Sequence, residues 1–248
     1  MNALALDPAL PTRKAEAFRY SDLDALAGVW PVARETIGVA AGETLSQAIV
    51  LTEAEPTARH LVITLEAGAS CDLRILNAGS AFGRIVVDTR LGASANFTLG
   101  AAQIGGGGQT LEIVTEVAHD APDAVSRQVI RSVLANHATG TYLGKVAVAR
   151  GANGTDAAQS VRAMLLDRTA TANAKPELEI YADDVKCAHG CAVGELDAAA
   201  LFYLASRGLP PPTARKLMLH AFVAEAFVGA PDEERLLAEA LARLEAIL

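Results

Sequence analysis

The densest group of side chains able to do chemistry lies in the segment Asp183-Asp184-Val185-Lys186-Cys187-Ala188-His189-Gly190-Cys191. Two thiols and an imidazole fall within five residues of one another. Cysteine and neutral histidine both suit iron, zinc and iron–sulfur clusters as ligands. In an extended strand the side chains at i, i+2 and i+4 face the same way. We therefore expect Cys187, His189 and Cys191 to share one face of a strand.

This spacing predicts half of a ligand site. Two residues of strand advance roughly 6.6 Å, so Cys187 and His189 can approach one ion, whereas Cys187 and Cys191 lie roughly 13 Å apart unless Gly190 bends the chain. The segment also lacks the Cys-x-x-Cys pairs of structural zinc sites. A second chain would complete such a site; the alternative interpretation is that these are small residues buried near a strand end.

Other signatures of catalysis are weak. The run Gly105-Gly106-Gly107-Gly108 lacks the Lys and Ser/Thr of a phosphate-binding loop, and no clear helix follows, so we interpret it as a loop between strands. No Gly-x-Ser-x-Gly elbow occurs. Cys71 is isolated and is expected to be a buried core thiol. We expect surface or packing roles for the scattered histidines His60, His119, His137 and His220. The sequence thus predicts a protein that is not an enzyme.

Composition narrows the class of protein. The 248 residues include 21 Lys and Arg against 29 Asp and Glu, a net charge of −8 that disfavours nucleic-acid binding. Hydrophobic residues make up 51%, which excludes general disorder. Three cysteines fit a reducing compartment rather than a disulfide framework. Met1–Pro8 has no secretory-signal pattern, and no apolar run approaches a membrane span. We predict a cytoplasmic protein that binds neither nucleic acid nor membrane.

The middle of the chain has the pattern of many short strands. Between residues 36 and 185, Gly, Asn and Asp interrupt short apolar strings every few residues. A faint self-similarity begins at Gly68, Gly92, Asp120 and Gly151, at spacings of 24, 28 and 31 residues. Such irregular spacing suits the coils of a β-solenoid, and a β-sandwich with similar turns is the alternative.

Both ends of the chain have helical patterns. Thr12 is a candidate N-cap for a helix that runs to Tyr20. Near the C-terminus, Asp197 can cap a helix that ends at Gly208, and a second helix is expected from Thr213 to Val228. The apolar residues of the second and third helices recur at helical spacing: Leu217, Ala221, Ala224 and Val228, then Leu237, Leu241, Leu244 and Leu248. We divide the chain into an N-terminal segment (1–35), a β body (36–194) and a helical domain (195–248).

Several segments resemble one known family. Pro176–Gly190, Val193–Asp197 and Ala200–Gly208 resemble the C-terminal signature of the SufB/SufD family, the scaffold subunits of the SUF iron–sulfur cluster assembly machinery. Gln159–Leu166 resembles a core strand of that family, and Pro11–Tyr20 is similar to its N-terminal helical segment.

The signature string itself is long and specific. It reads Ala-Asp-Asp-Val-Lys-Cys-x-His-Gly, and Gly190 after His189 is similar to the SufD branch of the family. The family commonly continues Gly-Ala-Thr-Val-Gly, whereas this chain has Cys191 directly after Gly190. Cys191 is therefore an addition, and the resemblance assigns it no role.

The resemblance implies a fold and a set of partners. The fold would be mainly β, a right-handed parallel β-helix with a short N-terminal helical segment and a small C-terminal helical domain. The chain would act with a SufB-like subunit and a SufC-like ATPase, and in isolation it would form a homodimer. A flavin is compatible with the family but does not follow from this sequence.

The resemblance also implies roles for individual residues. His189 and Cys187, with Cys191 as a further candidate, would bind iron or a nascent iron–sulfur cluster shared transiently with SufB. The C-terminal helices would contact SufC, through Leu201, Phe202, Leu217 and Phe222. Two other functions stay open: a stand-alone metal-binding enzyme that uses Cys187, His189 and Cys191, and a purely architectural β-solenoid module.

Overall fold

A computed structural model describes residues 9–248 of the chain. The predicted absence of a secretory signal concerns Met1–Pro8, which lie outside the described residues. Within the described part, no helix combines the length and apolar character needed to cross a membrane.

Twelve strands of the described chain form two parallel six-stranded sheets. The first sheet has the order β1-β3-β5-β7-β9-β11 and the second the order β12-β10-β8-β6-β4-β2. The strands are β1 Arg34–Val39, β2 Thr44–Leu51, β3 Thr57–Leu65, β4 Ser70–Asn77, β5 Phe82–Leu91, β6 Asn96–Gly105, β7 Thr110–His119, β8 Val125–Leu134, β9 Thr139–Val148, β10 Asp156–Leu165, β11 Thr171–Ile180 and β12 Lys186–Gly194. Each strand pairs in parallel with the strand two positions along the chain. This is a parallel β-helix of about six turns, as predicted, and the parallel pairing excludes the β-sandwich.

Alternation along each strand produces the interior. In β4, Cys71, Leu73 and Ile75 are buried in the main core between the sheets. Leu76, one residue further on, belongs to a second core outside the sheet. Period-two alternation thus gives the second sheet two buried faces. Cys71 is the buried thiol that the sequence predicts, with 3% of its surface exposed.

One corner of the β-helix is a column of residues with left-handed backbone conformation. Gly68, Ser94, Asp123, Gly154 and Asp184 have φ between 53° and 75°. The N–H groups of the first four each donate to a carbonyl oxygen of the next coil, at 2.8–2.9 Å. The predicted repeat therefore corresponds to this corner. At another corner, Gly107 and Gly108 form the turn between β6 and β7, which agrees with the loop interpretation.

The N-terminal helix differs from the prediction. The structure has one 3-10 turn at Glu16–Phe18 and a short α1 at Leu23–Ala27. Asp22, and not Thr12, caps a helix, because its side chain accepts a hydrogen bond from the Ala25 N–H at 3.1 Å.

Tertiary contacts explain the interrupted N-terminal segment. Arg84 and Glu112 form a buried ion pair on the outer face of the first sheet. The Ser21 hydroxyl donates to Glu112 at 2.6 Å, and Arg84 donates to the Ala17 carbonyl at 2.9 Å. Arg84 also lies over the Phe18 ring, 4.4 Å from its centre. These contacts hold the segment against the first sheet in a conformation that is not one continuous helix.

Three helices follow the last strand: α2 Ala198–Ser206, α3 Pro211–Ala224 and α4 Glu233–Ala246. The predicted cap of α2 is confirmed, since Asp197 accepts hydrogen bonds from the N–H groups of Ala199 and Ala200. The first turn of α4 carries Glu233 and Glu234, which complement the helix dipole as expected.

The predicted apolar stripe of α3 is wrong. The helix predicted from Thr213 to Val228 ends at Ala224, so Val228 lies beyond it and is 63% exposed. Leu217 is 51% exposed, whereas Leu219, Phe222 and Val223 are buried. The buried side packs on the outward face of the second sheet, against Leu76, Ala102 and Val133. In α4 the buried stripe is Leu236, Ala240 and Leu244, so it is centred one residue from the predicted one. Both helices are oriented by the sheet beneath them.

Two arginines of the second sheet hold the end of α3. Arg74 donates to the Ala226 carbonyl at 3.0 Å. Arg131 bonds the Glu225 carboxylate at 2.8 and 2.5 Å and the Ser160 carbonyl at 2.9 Å. Cations are favourable at a helix C-terminus, where carbonyl groups lack helical partners. The helices are therefore fastened to the β-helix by buried polar contacts as well as by apolar packing.

Candidate functional site

The candidate site lies on β12, the last strand of the second sheet. Within residues 9–248, β12 pairs with β10 and with no strand on its other edge. The register places Cys187 over Ala157, His189 over Gln159 and Cys191 over Val161. The three candidate ligands thus occupy alternate positions of one strand.

Their shared face points toward the interior of the β-helix. Ala157, Gln159 and Val161 are at most 3% exposed. The Cys191 sulfur lies 3.9 Å from the Ala174 carbonyl oxygen of β11, on the opposite sheet. Because no further coil of the described chain covers β12, these interior positions are open to solvent. His189 and Cys191 are exposed and Cys187 is half-buried.

A tight turn sets where β12 begins. Asp184 has a φ of 53°, a conformation that Asp and Asn tolerate better than most residues. Its carbonyl accepts the Gly154 N–H at 2.9 Å, and the Lys186 N–H donates to the Thr155 carbonyl at 2.8 Å. The Asp183-Asp184 pair of the signature string therefore continues the corner column and fixes the register of the site.

Burial acts on both thiols. The pKa of Cys187 is raised, mainly because burial desolvates the thiolate. A hydrogen bond with the Ala157 backbone lowers this pKa, and the negative charge of Asp156 raises it further. Desolvation also raises the pKa of Cys191. Lys186 lies on the opposite face of the strand and is not among the causes of the Cys187 shift. Because the thiolate is the metal-binding form, both cysteines need a metal or a partner's charge to deprotonate at neutral pH.

The ligand set of this chain is incomplete. Among residues 9–248, no three His, Cys, Asp or Glu side chains come together in a geometry that could hold a metal ion. A structural zinc site takes four protein ligands, and catalytic sites usually take three. The terminal strand presents an imidazole and two thiols in a row, so a second chain must supply the remaining ligands if a metal binds here.

The other histidines take packing or ion-pair positions. His60 Nε2 lies 2.7 Å from the Asp88 carboxylate. His119 is fully buried, with Nε2 2.9 Å from the Ser126 hydroxyl. His137 sits in a turn with a φ of 68°. These positions agree with the surface and packing roles expected from the sequence.

The residues predicted to contact an ATPase divide into two groups. Phe202 and Leu217 are 76% and 51% exposed. Leu201 lines a hollow of about 460 Å³ together with Pro211, Pro212, Arg215 and Leu248. Phe222 is only 9% exposed and packs in the core between α3 and the second sheet. Phe222 is therefore a packing residue and cannot present its ring to a partner in this structure.

A polar group inside the β-helix was not predicted from the sequence. Thr115, Gln128, Tyr142 and Gln159 are buried and bonded to one another beneath the site. The sequence does contain one indication of this group, because Gln128 and Gln159 occupy inward positions of strands whose other inward residues are mostly apolar.

Comparisons with known proteins point to one family. The profile described as "SUF system FeS cluster assembly, SufBD core domain" matches residues 48–222. "Iron-sulfur cluster assembly protein SufD" of Escherichia coli is 32% identical over 216 residues, covering 86% of this chain and 51% of that protein.

Two further relatives match over shorter stretches. "Protein ABCI7, chloroplastic" of Arabidopsis thaliana is 40% identical over 128 residues, 51% of this chain and 27% of that protein. "Iron-sulfur cluster assembly protein SufD" of Bacillus subtilis is 31% identical over 130 residues, 52% of this chain and 30% of that protein. The matched stretches span about half of these relatives' lengths or less.

Proposed function

Because the chain belongs to the SufBD core family of SUF iron–sulfur cluster assembly proteins, we propose that it is a SufD-like scaffold subunit that is not itself an enzyme. Its role is to bring His189 to an interface with a SufB-like subunit, where iron or a nascent cluster is bound as cargo. The observation that carries this proposal is the exposed imidazole on the inward face of the last strand, flanked by Cys187 and Cys191.

The open end of the β-helix supports a protein partner at this site. The free edge of β12 presents backbone N–H and C=O groups that another chain can pair with. A SufB-like β-helix placed there would cover the interior positions and add the missing ligands. In its absence a second copy of this chain can use the same edge, so the isolated protein is expected to be a homodimer. Light scattering with and without the SufB-like subunit tests both statements.

The exposed apolar side of the helices supports a second partner. Phe202, Leu217 and the hollow next to Leu201 lie on the surface of α2 and α3. A SufC-like ATPase docked on this surface would bind and hydrolyse ATP. Its motion would reach the β-helix through the joint between Glu225, Arg131 and the backbone of Ser160, which lies on β10 directly beside β12.

The decisive experiment is His189→Ala in the reconstituted complex of the three cytoplasmic proteins. We expect iron content and acid-labile sulfide to fall by about tenfold or more, since even the loss of a group that only orients a metal ligand costs about 10–100-fold in metal affinity. Lys186→Ala is the matched control, because Lys186 is on the same strand with its side chain on the other face. Unchanged iron and sulfide in His189→Ala would contradict the proposal.

The same preparations separate the two rival functions. A stand-alone metal-binding enzyme predicts stoichiometric metal and turnover in the purified chain without partners. A purely architectural module predicts that Cys187→Ala with His189→Ala leaves cluster assembly intact. The incomplete ligand set of the described residues favours the scaffold over the first rival.

A further inference from the structure

A column of side chains inside the β-helix becomes polar as it approaches His189. On the strands of the second sheet, from β2 to β12, this inward position is occupied by Gln47, Leu73, Leu99, Gln128, Gln159 and His189. Gln128 and Gln159 are fully buried, with at most 3% of their surface exposed. Buried amides need hydrogen-bond partners, so their presence next to the open end requires an explanation.

The hydroxyl of Tyr142 determines how these amides are oriented. It carries one proton, and the acceptors in reach of that proton are the Thr115 hydroxyl at 3.0 Å and Oε1 of Gln128 at 3.3 Å. Thr115 donates to the same oxygen at 3.2 Å. Burial raises the pKa of Tyr142, so the hydroxyl keeps its proton. Gln159 must then approach the Tyr142 oxygen as a donor, and its Nε2 does so at 3.3 Å.

The backbone leaves room for this arrangement. Gly144 lies two residues after Tyr142 on the same face of β9. A Cβ at that position would come within 2.2 Å of the Tyr142 hydroxyl oxygen. Glycine at 144 therefore lets the hydroxyl reach the two glutamines across the interior.

The orientation leaves two buried amide atoms without partners, Nε2 of Gln128 and an acceptor on Gln159. Oε1 of Gln159 has no hydrogen bond among the described residues. A buried polar atom without a hydrogen-bond partner is destabilising, so each one calls for an explanation. The next residue along the column is His189, on a strand about 4.8 Å away. His189 is the register partner of Gln159, so an unpaired buried acceptor lies next to the imidazole in the column.

We infer that Gln159 is a positioning residue for His189: its Oε1 accepts the N–H of one ring nitrogen and directs the lone pair of the other nitrogen out of the open end. Histidines that bind metals usually donate their second nitrogen to such an acceptor, which fixes the tautomer and the ring orientation. The inference rests on the proposed function and deepens it, because it adds the residue that prepares His189 as a ligand.

The test is nitrogen NMR on the full chain labelled with ¹⁵N-histidine. The spectrum shows which ring nitrogen carries the proton, and His189→Ala assigns the signal. Wild-type protein should show a single fixed tautomer. Gln159→Met, which removes the acceptor at similar size, should release His189 into exchange between tautomers. Gln159→Glu restores an oxygen and should restore the fixed tautomer.

Two further variants make the result specific. Gln103→Met is the matched control: Gln103 is also a buried interior glutamine, but its Nε2 bonds the Leu111 and Thr141 carbonyls away from the site. It should leave the His189 signal unchanged. If Gln159→Met does not fold, Gln159→Asn withdraws the oxygen by one methylene and should give the same loss of the fixed tautomer.

The outcomes separate the inference from the proposed function. In the reconstituted complex, Gln159→Met should lower bound iron by about tenfold. A His189 ring that exchanges freely in wild type, or that keeps its tautomer in folded Gln159→Met, overturns the inference. Unchanged iron in His189→Ala overturns the proposed function, and the NMR result is read independently of it.

Discussion

Replacing Arg131 with methionine tests how firmly the helices are joined to the β-helix. The Arg131 side chain is 4% exposed and lies over the Phe222 ring. Its guanidinium donates to Glu225 twice, to the Ile130 and Ser160 carbonyls and to the Ser160 hydroxyl. Methionine keeps much of the apolar contact with Phe222 and removes every one of these hydrogen bonds.

The structure sets the expected loss of stability. Removing one partner of a buried ion pair costs about 3–5 kcal/mol when the other charge is left buried. Glu225 is 45% exposed and can be hydrated once Arg131 is gone. We therefore expect the free energy of unfolding of Arg131→Met to fall by about 2–3 kcal/mol. For a chain of this size that corresponds to a decrease in Tm of roughly 5–10 °C.

Calorimetry and urea unfolding measure this loss, and limited proteolysis shows whether α3 and α4 detach first. Glu225→Gln is the matched control: it perturbs the same joint from its exposed side and should cost less than about 1 kcal/mol. If Arg131→Met matches wild type, or costs no more than Glu225→Gln, the joint does not hold the helices in the way described.

Three further predictions concern single buried residues of the β-helix. Gly100→Ala would place a Cβ 1.9 Å from the Ala226 carbonyl oxygen, so the helices must move outward at a cost of about 1–3 kcal/mol in urea unfolding, and a wild-type midpoint would contradict the packing. Burial lowers the pKa of His119 from 6.5 to about 4, so the unfolded chain binds a proton at this residue before the folded protein does as the pH falls. The contribution of His119 to the free energy of unfolding should be full above pH 6.5 and should fall by about 3 kcal/mol between pH 6.5 and pH 4. His119→Leu should remove that loss in acid titrations, and an unchanged slope argues against the assignment. Burial raises the pKa of Cys71 to about 12, so mass spectrometry should find Cys191 alkylated by iodoacetamide at about pH 8 long before Cys71, and early labelling of Cys71 in folded protein would count against its burial.

Features governed by neighbours in sequence were predictable. The cap formed by Asp197 depends on the N–H groups of the next few residues, and α2 begins where that rule places it. The strand through Cys187, His189 and Cys191 follows from its alternation and from the turn at Asp183-Asp184. The family string then identified the fold, which the alternation alone left open between a solenoid and a sandwich.

Features that depend on contacts with residues far away in the sequence could not be predicted. The outer side of α3 carries Leu217 and Ala221 at helical spacing, yet the second sheet selects Leu219 and Val223 as the buried side. Spacing alone could not distinguish two apolar faces of one helix. Thr12 failed as a cap because contacts with residues about 70 or more positions away, Arg84 and Glu112, hold the segment in another conformation.

In the candidate site, too, some features follow from neighbouring residues and others from distant ones. Alternation on β12 predicts one shared face but cannot tell which face looks inward, since that depends on the register with β10. The bond that orients Gln159 comes from Tyr142, on the opposite sheet. An amide that bonds across the interior leaves no local pattern in the sequence.

The corner column has a consequence for how this protein can change over evolution. Its left-handed residues recur at unequal intervals along the chain: Gly68, Ser94, Asp123, Gly154 and Asp184. The strands between them nevertheless keep the same register from coil to coil. Insertions and deletions are therefore absorbed in the turns and do not shift the ladder. The turns can therefore change in length while His189 keeps its position at the end of the second sheet, and the addition of another coil would cover it.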